Sequence, residues 1–204
     1  MTTASRAVTL GAATLTAAAL LAGTVAGSAS AAAGDPITGG TTTFAVPADT
    51  ILGGAVSGVV AVPTSPATIS YDQAANAADY AFPVDGGDGS VVAAYGSVEH
   101  AGGLVIADYQ TKRSVSFTAL TFSLETLTVS ATPSDGGAPV VLLDVDGTHT
   151  FSRNAGTGLE EYTGTDVEID PAGAAYLDSA LHTTAFQGGQ HVGSFDTTFT
   201  NTQY

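Results

Sequence analysis

Between Tyr95 and Ala131 the chain reads YGSVEHAGGLVIADYQTKRSVSFTALTFSLETLTVSA, and its apolar residues alternate in short groups: Val115 and Phe117, then Leu120, Phe122 and Leu124, then Leu127 and Val129. A period of two is that of a strand with one face in a core and the other in water. The parity changes after Phe117 and again after Leu124, so one flat strand cannot keep every one of these residues inward. The pattern predicts a bulge near Thr118 or Ala119 and a turn at Leu124-Glu125-Thr126. Two antiparallel strands result, preceded by a third from Leu104 to Tyr109.

The flanking sequence has the same character. Strands are expected at Thr42–Val46, across ILGGAVSGVVAVP with Val56, Val59, Val60 and Val62, at Thr68–Tyr71 and at Asp79–Val84. DGGDGS at 85–90 reads as a turn by composition, and TPSDGGAP at 132–139 as a loop. VVLLDVD at 140–146 follows, its continuous apolar start suggesting burial on both faces. RNAGTGLEEYTGTD reads as a loop with a short strand around Leu159–Tyr162. One helix is convincing: Asp170 as N-cap, Pro171 at the first position, and Ala174, Leu177 and Leu181 on one face. A last strand spans Val192–Thr200. Many short strands punctuated by Gly, Pro and Ser, with one short helix near the C-terminus, predict an all-β fold, an antiparallel β-sandwich or a partly closed barrel.

The N-terminus reads as a secretory signal peptide over residues 1–31: one positive charge at Arg6, an Ala/Leu-rich apolar run, and Ala29-Ser30-Ala31 for cleavage. A membrane anchor is the competing reading, but Ser, Ala and Gly follow the run and no basic stop-transfer residues do. Residues 32–40 then form a flexible leader and 41–204 a single β domain, secreted to the extracellular space. The chain has no cysteine, so core and ladder must supply its stability without disulfides, and thiol chemistry is excluded. Beyond Arg6 only Lys112, Arg113 and Arg153 face 19 acidic residues. Such a surface repels phosphate backbones and anionic lipid, which argues against nucleic acid and against membrane insertion or surface binding.

No constellation forces a reaction. Asp144-Val145-Asp146-Gly147 resembles the start of a calcium loop, but Ala155 stands where the closing glutamate belongs, and a strand ending in an Asp-Gly turn explains it. His100, His149, His182 and His191 lie on different segments without metal-ligand spacing. GAVSG at 54–58 lacks the context of a nucleophile elbow. Glu160, Glu161 and Glu168 make a poor glycosidase pair, since neighbours on a strand face opposite ways. No catalytic residue and no metal ligand is assigned, and the expectation is a non-enzymatic protein.

Two stretches carry a resemblance: GSVEHAGGLVI at 96–106 and VEIDPAGAAYLDSALHTTAFQGGQHVGSF at 167–195. Over roughly residues 80–200 the layout resembles HtaA-type domains of secreted actinobacterial proteins. The resemblance implies an all-β fold and haem bound through an axial tyrosine assisted by a histidine. His100 is the residue that matches the family's His-Gly segment. The family's tryptophan-containing motif, which brings the axial tyrosine, is absent, and Phe186 stands in place of its late tyrosine. For a haem site the candidates are therefore His100 with Tyr95 or Tyr109, and Tyr71 and Tyr80 could serve in principle. The leading expectation is an extracellular or cell-surface binding module with unknown ligand and partner, and the alternative is a haem-binding protein of iron acquisition.

Overall fold

The structure is a computed structural model that describes residues 35–202, so the expected signal segment lies outside the described residues. In chain order the elements are β1 (Ile37–Pro47), α1 (Ala48–Val56), β2 (Val59–Thr64), β3 (Thr68–Asp72), β4 (Ala77–Ser90), β5 (Tyr95–Asp108) and β6 (Arg113–Ser123). They are followed by β7 (Thr128–Pro133), β8 (Val140–Asn154), β9 (Leu159–Ile169), α2 (Pro171–Leu181) and β10 (His191–Asn201). β1 starts at Ile37, inside the stretch that composition assigns to a leader, and is held on both edges, by β10 and by β4.

The sheet is a closed antiparallel barrel rather than a sandwich. Its eight strands run β1-β4-β5-β6-β7-β8-β9-β10 and return to β1. Closure removes the free edges that a sandwich leaves exposed. The two remaining strands attach where β4 and β5 part company. β4 pairs with β5 only from Val84 to Ser90, and its earlier half takes β3 instead; β5 pairs with β4 up to His100 and then takes β2. The β2–β3 hairpin thus occupies a split in the barrel wall. Glycine makes the change of partner possible: Gly102 has φ +93°, and a Cβ there would lie 2.8 Å from the Thr64 carbonyl oxygen.

The two breaks in alternation are real features of the strands. Ala119 sits at φ 49°, with register shifts beside it against both β5 and β7, and β6 ends at Ser123 before a turn that brings Leu127 to φ 55°. DGGDGS is not a turn: β4 continues through it, and the reversal follows at 91–94. Its glycines serve close strand approach, since a Cβ on Gly87 would meet the Ser97 carbonyl oxygen at 2.2 Å. The segment expected as strand before Val59 is instead a helix, α1, which starts after Pro47 and ends where Gly58 takes φ +88°. β9 is also longer than its loop-like composition suggests, because β8 and β10 pair with it on both sides.

Aromatic rings fill the barrel. Phe82, Phe44, Phe195, Phe122 and Tyr162 contact one another in sequence with centroids 4.5–5.9 Å apart, and Val98, Val145 and Val167 pack around them. A second cluster, with Phe117, Leu120, Leu142, Leu177 and Leu181, lies at the end carrying the helices, and Phe44 and Leu143 touch both. α2 is fixed there by its cap: the Asp170 carboxylate accepts from the backbone N–H groups of Ala172 at 2.7 Å and Gly173 at 3.1 Å. Asp170→Ala should cost about 1 kcal/mol, less what is regained by relieving repulsion with Asp144, whereas Asp170→Ser should restore most of it. Urea denaturation measures the difference, and an unchanged midpoint in the alanine variant would contradict this role.

Candidate functional site

His100 points into the barrel and is 6% exposed. Its Nδ1 lies 3.1 Å from the Leu120 carbonyl oxygen and its Nε2 2.6 Å from Thr42 Oγ1, which in turn lies 2.6 Å from Thr197 Oγ1. A carbonyl can only accept, so Nδ1 carries the proton and Nε2 accepts from the Thr42 hydroxyl. The Thr42 oxygen then accepts from Thr197. Proton positions along the whole chain follow from that one fixed acceptor. Burial pushes the His100 pKa down to about 4, outweighing the opposing effects of the Leu120 carbonyl and Asp85. The imidazole is neutral and both its nitrogens are engaged.

Towards the helix end the interior is incompletely filled. A cavity of about 470 Å³ opens beneath α1, between the β2–β3 hairpin and α2. Its wall is apolar, with Phe44, Val46, Leu104, Ile106, Phe186 and Val192 among its residues. Five of these six, Ile106 excepted, are only half-buried although they face the interior. That is what side chains look like around space rather than around other side chains. His100 is not part of the wall, but Leu120, whose carbonyl it bonds, is. Among the described residues no Asp, Glu, Lys, Arg or His lines the cavity, and the phenol that does is Tyr80, whose hydroxyl donates to the Ala61 carbonyl at 3.2 Å and whose pKa burial raises.

α1 covers this space lightly. It buries none of its residues, has no side-chain cap, carries Gly53 and Gly54 in its body, and leaves Leu52 and Val56 64% and 84% exposed. Glycine inside a helix costs about 1 kcal/mol relative to alanine, so little intrinsic stability holds this turn of chain in place.

The other sequence candidates stand apart from the cavity. Tyr95 is at the start of β5, half-buried beside Asp35, where burial first and then the hydrogen bond to Asp35 raise its pKa. Tyr109 lies just beyond the opposite end of β5 and is 70% exposed. The structure therefore spreads His100, Tyr95 and Tyr109 along a single strand and brings no two together. Asp144 and Asp146 stand opposite Glu168 and Asp166 on the outside of β8 and β9, and Asp146-Gly147 is a bulge in β8. Burial and then the charges of Asp170, Asp146 and Glu168 raise the Asp144 pKa. Among the described residues no group of three or more His, Asp or Glu side chains is arranged to hold a metal ion.

An eight-strand barrel split by a hairpin, with a helix closing one end, can be compared with solved structures. The C-terminal domain of HtaA from Corynebacterium glutamicum superposes with a TM-score of 0.53 at 13% identity, covering 81% of this chain and 98% of that domain. The chain has an HtaA-like fold. The haem-binding protein HtaB from the same organism is similar at TM-score 0.49 and 14% identity, over 81% of this chain and 94% of that one. No protein-family model matches the chain, and no curated protein does.

Within the HtaA-like fold the residues do not fit haem held by a histidine-assisted tyrosine. The hydroxyl against His100 belongs to Thr42, not to a tyrosine. A tyrosine–histidine pair does exist, Tyr162 with His149 Nδ1 at 2.6 Å, but Tyr162 lies among Phe122 and Phe195 in the packed core, and burial, then Asp146, push its pKa up to about 12. Tyr80 faces the cavity, yet its proton is committed to a carbonyl and burial disfavours its phenolate. Sequence reading missed the cavity because its wall draws on all twelve elements, whose apolar residues read as ordinary core. Only the half-polar, glycine-bearing α1 segment set it apart.

Proposed function

We propose that the chain is a non-enzymatic extracellular binding protein that holds a hydrophobic small molecule in the cavity beneath α1. The observation that carries this reading is the ring of inward-facing but half-buried apolar side chains around about 470 Å³, a size within the usual range of ligand sites. The extracellular location is supported by the signal-peptide character of residues 1–31 and by the resemblance to secreted domains. The neutral fluorophore N-phenyl-1-naphthylamine should bind saturably at one equivalent with a blue-shifted emission. Ala61 lies in the wall, and Ala61→Trp should reduce that binding at least tenfold while the variant stays folded by circular dichroism. Unsaturable binding, or binding that Ala61→Trp leaves intact, would remove the cavity as the site.

A second reading is haem, which the resemblance of residues 80–200 to HtaA-type domains implies and for which Tyr80 in the wall offers a phenol. On this reading Tyr80, rather than Tyr95 or Tyr109, is the phenol with access to a bound ligand. A hemin titration separates the two. A Soret band that saturates at one equivalent and changes in Tyr80→Phe supports haem; the spectrum of free hemin throughout rejects it.

A further inference from the structure

We infer that the molecule held in the cavity is uncharged, and that the site discriminates against ligands carrying a carboxylate. This rests on the cavity being the binding site. Among the described residues its wall offers no cation: the ionisable side chain present, Tyr80, donates to Ala61, and the remaining side-chain donors are neutral, Thr50, with Ser57 and Gln190 at the exposed rim. A carboxylate taken inside would lose its water without a partner, which is heavily unfavourable.

An anionic ligand could instead leave its charged end outside, so the surroundings of the opening matter. The exposed residues of the wall, Gly53 of α1, Ser57 just after it, Ile69 of β3 and Gln190 before β10, mark where the cavity meets solvent. From Ile37 to Ser90, the stretch that contributes β1, α1, the β2–β3 hairpin and β4, the chain carries Asp49, Asp72, Asp79, Asp85 and Asp88 and no Lys, Arg or His. Lys112 on the β5–β6 turn and Arg113 at the start of β6 are not wall residues, although Gln110 of that turn lies against Gly58, and Arg113 is in register opposite the buried Asp108. An alcohol or an isoprenoid gives up at most one hydroxyl's hydration on entering, whereas a carboxylate is opposed by the far larger loss of charge hydration, and Asp49 of α1 and Asp72 of β3, on the same elements as the exposed wall residues Gly53 and Ile69, add like charge.

The test is displacement of N-phenyl-1-naphthylamine by 1-dodecanol and by dodecanoate at pH 7.5, two ligands that share one chain length. Dodecanol should displace the probe at least tenfold more tightly than dodecanoate. Ser57→Lys places an ammonium at the opening, on an exposed position just beyond α1, and should narrow that ratio by strengthening dodecanoate more than dodecanol. Equal affinity in the unmodified protein, or tighter dodecanoate, overturns the inference, as does a Ser57→Lys variant that shifts both ligands alike. If the probe binds and neither ligand displaces it, selection for lack of charge falls while the cavity stands as a site. If the probe itself fails to bind, the cavity reading falls first.

Discussion

Glu160→Ala should destabilise the barrel by about 3–5 kcal/mol and lower its melting temperature by roughly 10–15 °C. Glu160 projects inward from β9 and has no exposed surface. Its carboxylate accepts from the Val91 backbone N–H at 2.6 Å, from the Ser90 hydroxyl at 3.1 Å and from Asn201 Nδ2 at 3.4 Å, with Arg153 Nε 3.4 Å away. One side chain thus ties β9 across the interior to the β4–β5 turn and to the end of β10. Removing it strands donors on three separate elements in a place that water does not reach, which is the expensive way to break a buried ionic contact. Glu160→Gln keeps an acceptor and should cost about half as much. Thermal and urea unfolding of both variants provide the check, and a loss below about 1 kcal/mol in the alanine variant would show the carboxylate to be dispensable.

Acid should weaken the fold through His100. The unfolded chain takes up this proton near the ordinary histidine pKa, while the folded state resists until about pH 4 because burial opposes the charged ring. A lowered pKa for a base means that the unfolded state binds more protons in between. The stabilisation is therefore whole above about pH 6.5, declines as the pH falls, and is gone near pH 4, a total of about 3 kcal/mol. Asp144 and Asp196, both raised chiefly by burial, act in the opposite sense as the pH falls towards their range, and Asp108, lowered chiefly by the Thr111 backbone N–H, acts in the same sense as His100. Comparison with His100→Gln subtracts these shared contributions. The unmodified protein should lose about 3 kcal/mol more than the variant between pH 7 and pH 4. Parallel stability profiles would mean that His100 is protonated in the folded barrel without penalty.

The central strands were legible in the sequence because their information is local. Val115, Phe117, Leu120, Phe122 and Val129 alternate, and the two breaks in that alternation sit where the bulge at Ala119 and the turn before Thr128 occur. The Asp170-Pro171 start of α2 was legible for the same reason, since a cap is a contact between residues two or three apart. Closure of the barrel was not. It depends on β1 meeting both β4 and β10, and no local pattern states which edges will pair. α1 was read as strand because Ile51, Val56 and the valines that follow it look like one glycine-punctuated strand, while Pro47 and Gly58 were the boundary signals that would have marked it. The placement of His100 shows the same division. Its burial follows from strand parity, but its partner Thr42 comes from another strand 58 residues away, and that partner decides what the histidine does.

β1 also sets the order in which the molecule can be completed. Its hydrogen bonds run on one side to β4, a near neighbour, and on the other to β10, where Thr42 and Thr197 are 155 residues apart. A chain made or threaded through a pore from its N-terminus must keep that edge of β1 unpaired until β10 emerges. Until then the row of aromatic rings has one wall missing. Formation of this barrel is accordingly a late, all-at-once event governed by long-range contacts, slow for its size and vulnerable to association through the waiting edge. The absence of lysine and arginine from β1 to β4 and the strongly acidic surface give the unfinished chains a shared charge that keeps them apart.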